Sequence, residues 1–415
     1  MRKKILVKGP ALSRSGYGEQ TRFALRALRT REDIFDIYLI NIPWGHTGHI
    51  TGTSEEIKWL DSLVLKTIQL VQARGPVDIS LQVTIPNEWE KIAPINIGYT
   101  AGIETTKVAP VWLAKGNEMD KIIVVSNHSK QVYETTSAQA QNNQTGEVVE
   151  NYRCETPIEV VGYPVRNFDP SPIEGVELEH DFNFLTVAQW GPRKNLNNTI
   201  KWFIEEFRDT EVGLVVKTNI AKDCIIDRQM TTQRLGTMVK SFGERKCKIY
   251  LLHGTLTEEE MTWLYRHDKI KSLISISHGE GFGLPMFEAA YNGLPIITSV
   301  WSGHADFLYG PNKNGKMRPM VAKVGYSLGP VPPEAVWEGV VEKDSNWAYP
   351  VEAEYKKQLR EVYKNHPRFQ STAKKLKKRI EKNFPAERLY KDFLGAICSE
   401  QEMEWLSELS GVEVL

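Results

Sequence analysis

The sequence predicts an α/β protein of two doubly wound parallel sheets that face a cleft, followed by helices at the C-terminus. Three observations lead to this prediction. Apolar runs of strand length recur in both halves of the chain, amphipathic helical patterns separate them, and a charged helical segment follows Pro350. The 415 residues, 41% hydrophobic and 25% charged, are enough for two globular domains.

The first half of the chain contains six apolar runs of the length of a buried parallel strand. Helical patterns lie between several of them, and the clearest is Glu19–Arg29. Strands that alternate with helices imply right-handed crossovers and a sheet covered on both faces. The predicted strands are Ile5–Lys8, Asp36–Asn41, Val77–Val83, Ile95–Tyr99, Lys121–Ser126 and Ile158–Val161.

The stretch Thr135–Glu155 interrupts this alternation. It is rich in Gln, Asn, Thr and Ser, and this composition predicts a surface loop or a flexible excursion. The segments Gly162–Asn167 and Asp169–Pro172 then predict a hinge between domains. We therefore expect an N-terminal domain over residues 1–165.

The second half repeats the alternation and predicts a second domain over residues 166–384. Its predicted strands are Phe182–Trp190, Val212–Thr218, Lys248–His253, Ser272–Ser277 and Pro295–Val300. Four helices are expected after Pro350, over Tyr355–Tyr363, Gln370–Lys382, Glu387–Ile397 and Glu400–Leu409. Residues 385–415 are expected to pack back on the N-terminal domain. Because parallel sheets bind ligands at the carboxyl ends of their strands, two such sheets predict a ligand cleft between them.

The most informative segment is Ser277–Glu288, which follows an apolar strand and opens a short helix. Gly281 and Gly283 allow a ligand to approach the backbone, and the amides at the start of the helix favour an anion such as phosphate. Glu280 is expected in the loop and Glu288 in the first helical turn. From there the Glu288 carboxylate could accept hydrogen bonds from two vicinal hydroxyls.

The string from Glu280 to Glu288 resembles the Glu-x7-Glu signature of the family 4 retaining glycosyltransferases, which have the GT-B fold. The resemblance implies that Glu280 lies beside the transferred sugar and that Glu288 holds the ribose of a nucleotide-sugar donor. It also implies that backbone amides of the intervening loop contact the sugar and the diphosphate. These donor-binding residues are Gly281, Phe282, Gly283 and Leu284.

Family resemblance extends to two further turns of the second domain. Arg193 and Lys194 follow its first strand, where relatives carry a basic pair that neutralises the leaving diphosphate. A solvated basic loop is the alternative. His253 and Leu256 lie after another strand, in a turn that resembles the one that passes the nucleotide base.

The N-terminal domain offers weaker candidates. Gly16 and Gly18 fit the glycine-rich loop that such enzymes place near donor and acceptor, although a simple tight turn explains them equally well. Many relatives have a sugar-contacting histidine after the strand that ends at Tyr99. This chain has none there, so Glu104 is the substitute candidate. Elsewhere His128, His278 and His304 are spare candidates, each more typical of a structural role.

The chain contains no Asp-x-Asp motif of the kind that holds a divalent ion in metal-dependent transferases. The resemblance therefore implies a metal-independent reaction with no cofactor beyond the donor, which is expected to be UDP-glucose. It also implies retention at the anomeric carbon, by front-face attack and without a clearly placed protein nucleophile. The expected product is a hexosylated hydroxyl acceptor.

The acceptor and the reaction class stay open at this point. The segment Ile97–Pro110 resembles glycosyltransferases of bacteriophages, which makes 5-hydroxymethylcytosine in phage DNA an alternative acceptor. A sugar-nucleotide epimerase and a non-catalytic nucleotide-sugar-binding module compete with a transferase, while a phosphorylase fits this short chain poorly. Backbone contacts to DNA could come from a run of basic residues, although such a run is more typical of a solvated helix face. The run consists of Lys374, Lys375, Lys377, Lys378 and Arg379.

The remaining features predict a cytoplasmic protein that does not insert into a membrane. Basic and acidic residues both number 52, so overall charge does not direct the chain to nucleic acid. The apolar run at Ile5–Val7 is too short for a secretory leader. The four cysteines form no CxxC pair, which indicates reduced thiols.

Overall fold

The computed structural model describes residues 2–141, 145–312 and 314–410, without the side chains of Leu409 and Ser410. The chain divides into two compact units. Unit 1 comprises the chain up to Pro164, the segment Val336–Ser345 and the chain from Ala386 onward. Unit 2 comprises Val165–Ala335 and Asn346–Pro385.

Unit 1 is built on a six-stranded parallel sheet. Its elements up to Pro164 are β1 (Lys3–Gly9), α1 (Gly16–Arg29), β2 (Phe35–Asn41), α2 (Glu55–Gln72), β3 (Ile79–Val83), β4 (Ile95–Thr100), α3 (Pro110–Asn117), β5 (Lys121–Val124), α4 (Asn127–Thr135), β6 (Ala138–Gln141), β7 (Val148–Tyr152) and β8 (Ile158–Val160). The sheet has the order β2-β1-β3-β4-β5-β8, so the six predicted strands of this half are confirmed.

The prediction of a loop or flexible excursion over Thr135–Glu155 is wrong in part. The strands β6 and β7 form an antiparallel ribbon there, while residues 142–144 lie outside the described part of the chain. Most of the ribbon is exposed, and among its described residues only Ala138 and Tyr152 at its base pack against the core of unit 1. Gln139 donates to Glu150 across it at 3.0 Å. Because these strands bury little apolar surface, their polar composition resembles that of a loop.

Unit 2 is built on a second six-stranded parallel sheet. Its elements are β9 (Asn183–Val187), α5 (Leu196–Phe207), β10 (Gly213–Lys217), α6 (Ile225–Lys240), β11 (Lys248–Leu252), α7 (Glu258–Arg266), β12 (Ile270–Ser275), α8 (Leu284–Tyr291), β13 (Ile296–Thr298), α9 (Ala305–Leu308), β14 (Tyr309–Pro311), β15 (Met317–Pro319), β16 (Ala322–Lys323), β17 (Tyr326–Pro330), β18 (Asn346–Pro350), α10 (Glu352–Lys364) and α11 (His366–Asn383). The five strands predicted for this half are confirmed as β9 to β13.

The strand order of the second sheet places the candidate site. The order is β11-β10-β9-β12-β13-β16, so the chain leaves β9 toward one edge and returns on its other side as β12. This reversal is a topological switch point, where the loops after the two strands diverge and leave a crevice at the carboxyl edge. The loops after β9 and β12 therefore begin side by side.

The last helices are α12 (Ala386–Ile397) and α13 (Glu400–Ser410), which belong to unit 1. Phe393 of α12 lies 5.2 Å from Phe23 of α1 and 5.3 Å from Tyr99 of β4, ring centre to ring centre. Buried aromatic side chains thus join α12 to helix and sheet. Among the described residues, none of the helices combines the length and apolar content needed to cross a bilayer.

The segment Val336–Ser345 also belongs to unit 1, although the sequence predicts it as part of the second domain. Its anchor is the carbonyl oxygen of Gly339, which accepts hydrogen bonds from Trp112 Nε1 at 2.9 Å and Asn87 Nδ2 at 2.8 Å. A backbone carbonyl carries no sequence signal, so this attachment cannot be anticipated from residue types.

A close contact in the core of unit 1 gives a test of its packing. A Cβ added at Gly98 in β4 would lie 2.5 Å from the fully buried indole ring of Trp89. We expect Gly98→Ala to lower the free energy of unfolding by about 1–3 kcal/mol, because an aromatic ring in a packed core has no room to move. The matched control is Gly395→Ala in α12, where the added Cβ meets no atom within 4 Å.

The control should raise the free energy of unfolding by about 0.5–1 kcal/mol, since alanine loses less backbone entropy than glycine in a helix. Urea unfolding followed by circular dichroism measures both variants. Equal stability of Gly98→Ala and the wild type would contradict the packing described here.

Candidate active site

A buried ion cluster lies at the switch point of unit 2. Glu280, in the loop after β12, is 6% exposed. Lys194 Nζ lies 2.7 and 2.8 Å from its two carboxylate oxygens, and Arg193 Nη1 lies 3.1 Å from Oε2. The same Arg193 nitrogen donates to the carbonyl of Gly279 at 2.7 Å. The structure therefore brings together three predicted catalytic residues from two loops.

The loop after β9 presents both cations through a short 3-10 turn, Pro192–Lys194. Asn195 ends this turn in the left-handed conformation, with φ of 54°, and then begins α5. Its side-chain amide donates to the carbonyl of Ile276 at 3.1 Å. Asparagine tolerates this backbone region better than most residues. The turn is thus fixed to the chain that leaves β12, and the basic pair points to Glu280.

The charges of this cluster set the protonation state of Glu280. Burial alone would raise the pKa of its carboxyl, but the charges of Lys194 and Arg193 and the hydrogen bond from Lys194 lower that pKa to about 2. Glu280 is therefore a carboxylate at neutral pH and has no proton to donate. The three side chains together carry a charge of +1. The cations are partly accessible, with exposed side-chain fractions of 28% for Arg193 and 20% for Lys194.

A third loop, after β13, encloses the backbone of Glu280. Ser302 Oγ accepts from the Glu280 amide at 2.9 Å, and the Gly303 amide donates to the Glu280 carbonyl at 2.8 Å. A Cβ at Gly303 would lie 1.8 Å from the carbonyl oxygen of Gly281, so only glycine fits. Sequence analysis missed Ser302 and Gly303. The signal that could have revealed them is a Ser-Gly pair in the loop after a buried strand.

The spare histidines take different positions. His278 stacks on Trp347 with ring centres 4.5 Å apart and contacts the Ala348 carbonyl at 2.6 Å, which is a structural role. His304 is buried, and its Nε2 lies 2.5 Å from the Ser299 carbonyl. Burial lowers the pKa of His304, so its imidazole is neutral at pH 7. His128 is the second residue of α4, which belongs to unit 1.

The loop between Glu280 and α8 depends on Gly283. Its φ is +91°, a conformation that residues other than glycine rarely adopt. Gly283 directly precedes Leu284, the first residue of α8. The Phe282 side chain turns into the core, with ring centres 5.2 Å from Phe287 and 5.1 Å from Phe307. Of the predicted donor contacts in Gly281, Phe282, Gly283 and Leu284, Phe282 can therefore offer only its backbone.

The prediction that Glu288 lies in the first helical turn is wrong. Helix α8 begins at Leu284, so Glu288 is its fifth residue and lies in the second turn. Its carboxylate oxygen Oε2 accepts from the hydroxyl of Tyr265 at 2.8 Å. The buried Tyr265, on α7, thus orients Glu288. The helix begins one residue earlier than its proline suggests, because Pro285 takes the second helical position.

A second buried carboxylate joins the loops that follow β10 and β11. Asp227, on α6, accepts from the backbone amides of Ile220, Ala221 and Lys222 at 3.1, 2.6 and 2.9 Å. Its Oδ1 also lies 2.8 Å from His253 Nε2. Burial would raise the pKa of Asp227, but these hydrogen bonds, first that of His253, lower it well below its usual range.

This contact shows what the His253 side chain does in the turn that was predicted to pass the nucleotide base. The His253 side chain is 3% exposed and points to Asp227, so it supports the turn from within. Leu256, three residues on, is half-buried in the same connection to α7. Asp227 was missed because it belongs to a helix, without a motif of its own.

The candidates of unit 1 form a separate group around Tyr17. Helix α1 begins at Gly16, so Gly16 and Gly18 lie in its first turn rather than before a helix that opens at Glu19. A Cβ at Gly18 would lie 2.0 Å from the Ser13 carbonyl oxygen, whereas one at Gly16 would meet nothing within 4 Å. Glycine is therefore required at Gly18 alone.

Tyr17 connects this turn to the loop after β4. Its hydroxyl lies 2.7 Å from Thr100 Oγ1 and accepts from the amides of Ala101 and Gly102 at 3.3 and 3.1 Å. Burial raises the pKa of Tyr17, and the charge of the half-buried Glu104 adds to the effect. Gly18 and Glu104 thus belong to one group, which Tyr17 organises. Sequence analysis did not single out Tyr17, although it lies between the two glycines.

The residues of the basic run lie on different sides of helix α11. Lys377 lies 3.7 Å from Glu381, and Arg379 donates to the carbonyl of Tyr309 at 2.9 Å. These two side chains therefore have contacts within unit 2, and contacts of the run with a DNA backbone stay a prediction. Three residues of the run are exposed: Lys374, Lys375 and Lys378.

No group of three or more His, Cys, Asp or Glu side chains suited to a metal ion occurs within residues 2–141, 145–312 and 314–410.

Residues 255–392 match the sequence family described as "Family 4 Glycosyltransferase in conflict systems". The matched segment contains Glu280 and Glu288 and begins after Arg193, Lys194 and His253. No curated protein matches the chain in sequence.

Several solved structures have a fold similar to that of this chain. Sucrose-phosphate synthase from Thermosynechococcus elongatus is similar over 98% of this chain and 100% of its own, with 12% identity and a TM-score of 0.59. Anabaena HepE in complex with UDP and glucose is similar over 96% and 100%, with 13% identity and a TM-score of 0.59. The chain spans 55% of the length of S. aureus TarM, with 14% identity over 77% of this chain and a TM-score of 0.47.

The protein is a glycosyltransferase of the GT-B fold. The predicted fold class, two doubly wound parallel-sheet domains with C-terminal helices, is confirmed, as is the resemblance to family 4. In this glycosyltransferase the Glu280 cluster lies at the carboxyl edge of the second sheet. Glu280 belongs to the segment that matches the family, whereas Arg193 and Lys194 precede that segment. The predicted roles of individual residues stay predictions.

The pKa of Glu280 gives a test of the ion cluster. Because the folded-state pKa of about 2 lies below the ordinary value of 4.5, the cluster stabilises the fold above pH 4.5 and loses this contribution as pH falls toward 2. The full shift corresponds to roughly 3 kcal/mol. We expect Lys194→Met to lose less stability between pH 5 and pH 3 than the wild type, since removing the cation raises the pKa of Glu280.

Urea unfolding at the two pH values measures this difference. The control, Lys201→Met, alters an exposed lysine of α5 that lies 3.9 Å from Glu205. It should keep the pH dependence of the wild type. The same loss of stability in Lys194→Met and the wild type would show that Lys194 does not control the titration of Glu280.

Proposed function

We propose that this glycosyltransferase moves a hexose from UDP-glucose to a hydroxyl acceptor, with retention at the anomeric carbon and without a metal ion. The observation that carries the proposal is the buried Glu280 carboxylate held by Arg193 and Lys194. This arrangement places two partly accessible cations beside an acid that cannot lose its charge at neutral pH. A diphosphate leaving group needs such cations.

The basic pair would act on the leaving group. As the bond between sugar and diphosphate breaks, negative charge grows on the phosphate oxygen, and cations fixed beforehand stabilise that charge without reorganisation. The net charge of +1 on the cluster remains attractive to a diphosphate even with Glu280 ionised. The basic pair would thus do the charge work of a metal, so the donor itself is the only small molecule required.

Glu280 would face the sugar as a carboxylate. Its low pKa excludes a role as general acid, because no proton is present at neutral pH. An ionised carboxylate beside the anomeric carbon stabilises the positive charge that develops there. The proposal of retention by front-face attack rests on the family resemblance of the Glu280–Glu288 segment.

Glu288 would bind the donor ribose. Its carboxylate is oriented by Tyr265, and an oriented carboxylate accepts hydrogen bonds from a pair of vicinal hydroxyls with little loss of side-chain freedom. The amides of Gly281, Gly283 and Leu284 would contact the sugar and diphosphate. The loop with His253 and Leu256, held from within by Asp227, would lie against the nucleotide base.

Uridine and glucose are supported by one similar structure. Anabaena HepE has been solved with UDP and glucose and with UDP-glucose, and it shares the fold of this chain. Unit 1 would supply the contacts to the acceptor, and its candidates are Gly16, Gly18 and Glu104. We place the reaction in the cytoplasm, in keeping with four cysteines that are all free thiols.

Two alternatives to this function are a different acceptor and a different reaction. A hydroxyl of 5-hydroxymethylcytosine in phage DNA is the second candidate acceptor, favoured by the match to a family described from conflict systems. A sugar-nucleotide epimerase would use the same donor site and no acceptor. A product formed from UDP-glucose alone, with an altered sugar, would identify the epimerase.

The test is a transfer assay with UDP-glucose, a panel of hydroxyl acceptors that includes hydroxymethylated DNA, and mass detection of product. Transfer should persist in excess EDTA. Lys194→Ala should lower kcat by about 10²–10³, with a small change in donor affinity, because the cation acts mainly in the transition state. Arg193→Lys should also be slow, since an ammonium lacks the two-pronged grip of a guanidinium.

The control for the assay is Lys201→Ala, which should turn over like the wild type. Loss of transfer on chelation, restored by manganese or magnesium, would overturn the metal-independent mechanism. Normal turnover in Lys194→Ala and Arg193→Ala would remove the basic pair from the reaction.

The contact between Glu288 and Tyr265 gives a separate test of donor binding. Glu288→Ala should weaken the affinity for UDP by about 1.5–3 kcal/mol, the cost of losing a charge-assisted hydrogen bond. Tyr265→Phe keeps the carboxylate but removes its orienting hydroxyl, so it should weaken the affinity less. Calorimetric titration with UDP measures both. Unchanged affinity in a folded Glu288→Ala variant would exclude Glu288 from the donor site.

A further inference from the structure

Helix α11 concentrates positive charge in a chain whose formal net charge is zero. Between His366 and Asn383 it carries seven Lys and Arg residues against the single carboxylate of Glu381, a charge of +6 with histidine neutral. A charge of this size on one helix costs stability by self-repulsion. The way in which the fold distributes these side chains therefore matters.

Five of the cations lie on one exposed face of α11. At 100° per residue, positions 374, 378 and 382 follow each other within 80° of the helix circumference, and positions 368 and 375 lie beside them. We define this outer face by its residues, Arg368, Lys374, Lys375, Lys378 and Lys382, all of which are exposed. None of the five forms an ion pair with another described residue.

The opposite face fixes the helix. Ala373, Leu376 and Ile380 are buried, and α11 packs against α8. Lys377 and Arg379 are half-buried; Lys377 lies 3.7 Å from the exposed Glu381, and Arg379 donates to the Tyr309 carbonyl. The outer face is therefore held rigidly in its orientation, and its charges cannot turn inward to find partners.

The spacing and chemistry of the outer face select the partner. Lys374, Lys378 and Lys382 are four residues apart, so each lies about 6 Å further along the helix axis and about 40° further around it than the one before. A membrane-surface helix needs exposed apolar side chains between its cations, and the apolar residues of α11 are buried against α8. Regularly spaced lysines without apolar neighbours on one face fit a linear array of phosphates.

We propose that the outer face of α11 binds the phosphate backbone of a nucleic acid. The contact would be independent of base sequence, because lysine ammonium groups read phosphates and not base edges. It would hold a polymeric partner on unit 2 through charge alone. This inference goes beyond the proposed transfer reaction, since binding through phosphates requires neither the donor nor catalysis.

The test uses the full chain and a fluorescein-labelled 25-base-pair duplex in anisotropy titrations from 50 to 200 mM salt. One variant replaces Lys374, Lys375, Lys378 and Lys382 with glutamine. The matched control replaces four other exposed lysines of unit 2 with glutamine: Lys201, Lys240, Lys246 and Lys316. Both variants lose the same charge, so only the position of the removed charge differs.

We expect the wild type to bind the duplex, with affinity that falls steeply as salt rises. The α11 variant should bind at least tenfold more weakly at 50 mM salt. Its slope of log affinity against log salt should be shallower by about 0.9 for each phosphate that the variant no longer neutralises. The control should keep most of the affinity and the slope of the wild type.

Three results would overturn the inference: no duplex binding by the wild type at 50 mM salt, equal weakening in the two variants, or stronger α11-dependent binding to phosphatidylserine vesicles than to the duplex. Turnover of UDP-glucose serves as an independent readout. It should be the same in the α11 variant and the wild type, because the replaced lysines lie outside the Glu280 cluster. Failure of duplex binding with normal turnover would leave the proposed transfer reaction intact.

Discussion

The candidate site depends on the neutralisation of one buried charge. A carboxylate at the depth of Glu280 is costly to desolvate, and this cost is met only when cations and hydrogen bonds are already in place. Lys194 and Arg193 provide the cations, while Ser302 and Gly303 bind the backbone of the same residue. Three loops from the carboxyl edge of the sheet are thereby joined at one residue. Without either cation the carboxylate is left undercompensated.

Asp227 is a second buried carboxylate whose charge is compensated, and it lies beside the loops after β10 and β11. Its carboxylate collects three backbone amides, the Thr231 hydroxyl and His253, so the loops after β10 and β11 converge on it. An ionised carboxylate that accepts several amide hydrogen bonds is well compensated without a cation. The two acids thus stabilise loops that no regular hydrogen-bond ladder could hold.

Residue patterns predicted the strands, the glycine loop and the family resemblance, because those features are local in sequence. The contact between Lys194 and Glu280 joins residues 86 positions apart and depends on strand order, which no local pattern encodes. Tyr265 was missed for the same reason, whereas Asp227 was missed because it lies on a helix without a motif of its own. Glu288 was placed one position too early in α8, because the start of this helix is set by the backbone at Gly283. On α11, only packing against α8 decides which lysines face outward.

Unit 1 combines the first and the last segments of the chain, so it is completed only at the end of synthesis. Its sheet is complete once Val160 has been added, yet Phe393 of α12, which packs on Phe23 and Tyr99, is synthesised more than two hundred residues later. At the usual pace of translation this interval lasts roughly 10–50 seconds. Throughout it, an aromatic surface that the mature fold buries is open to solvent. A growing chain with such a surface is a natural client for ribosome-associated chaperones, whereas unit 2 has all of its helices and strands once Asn383 is in place.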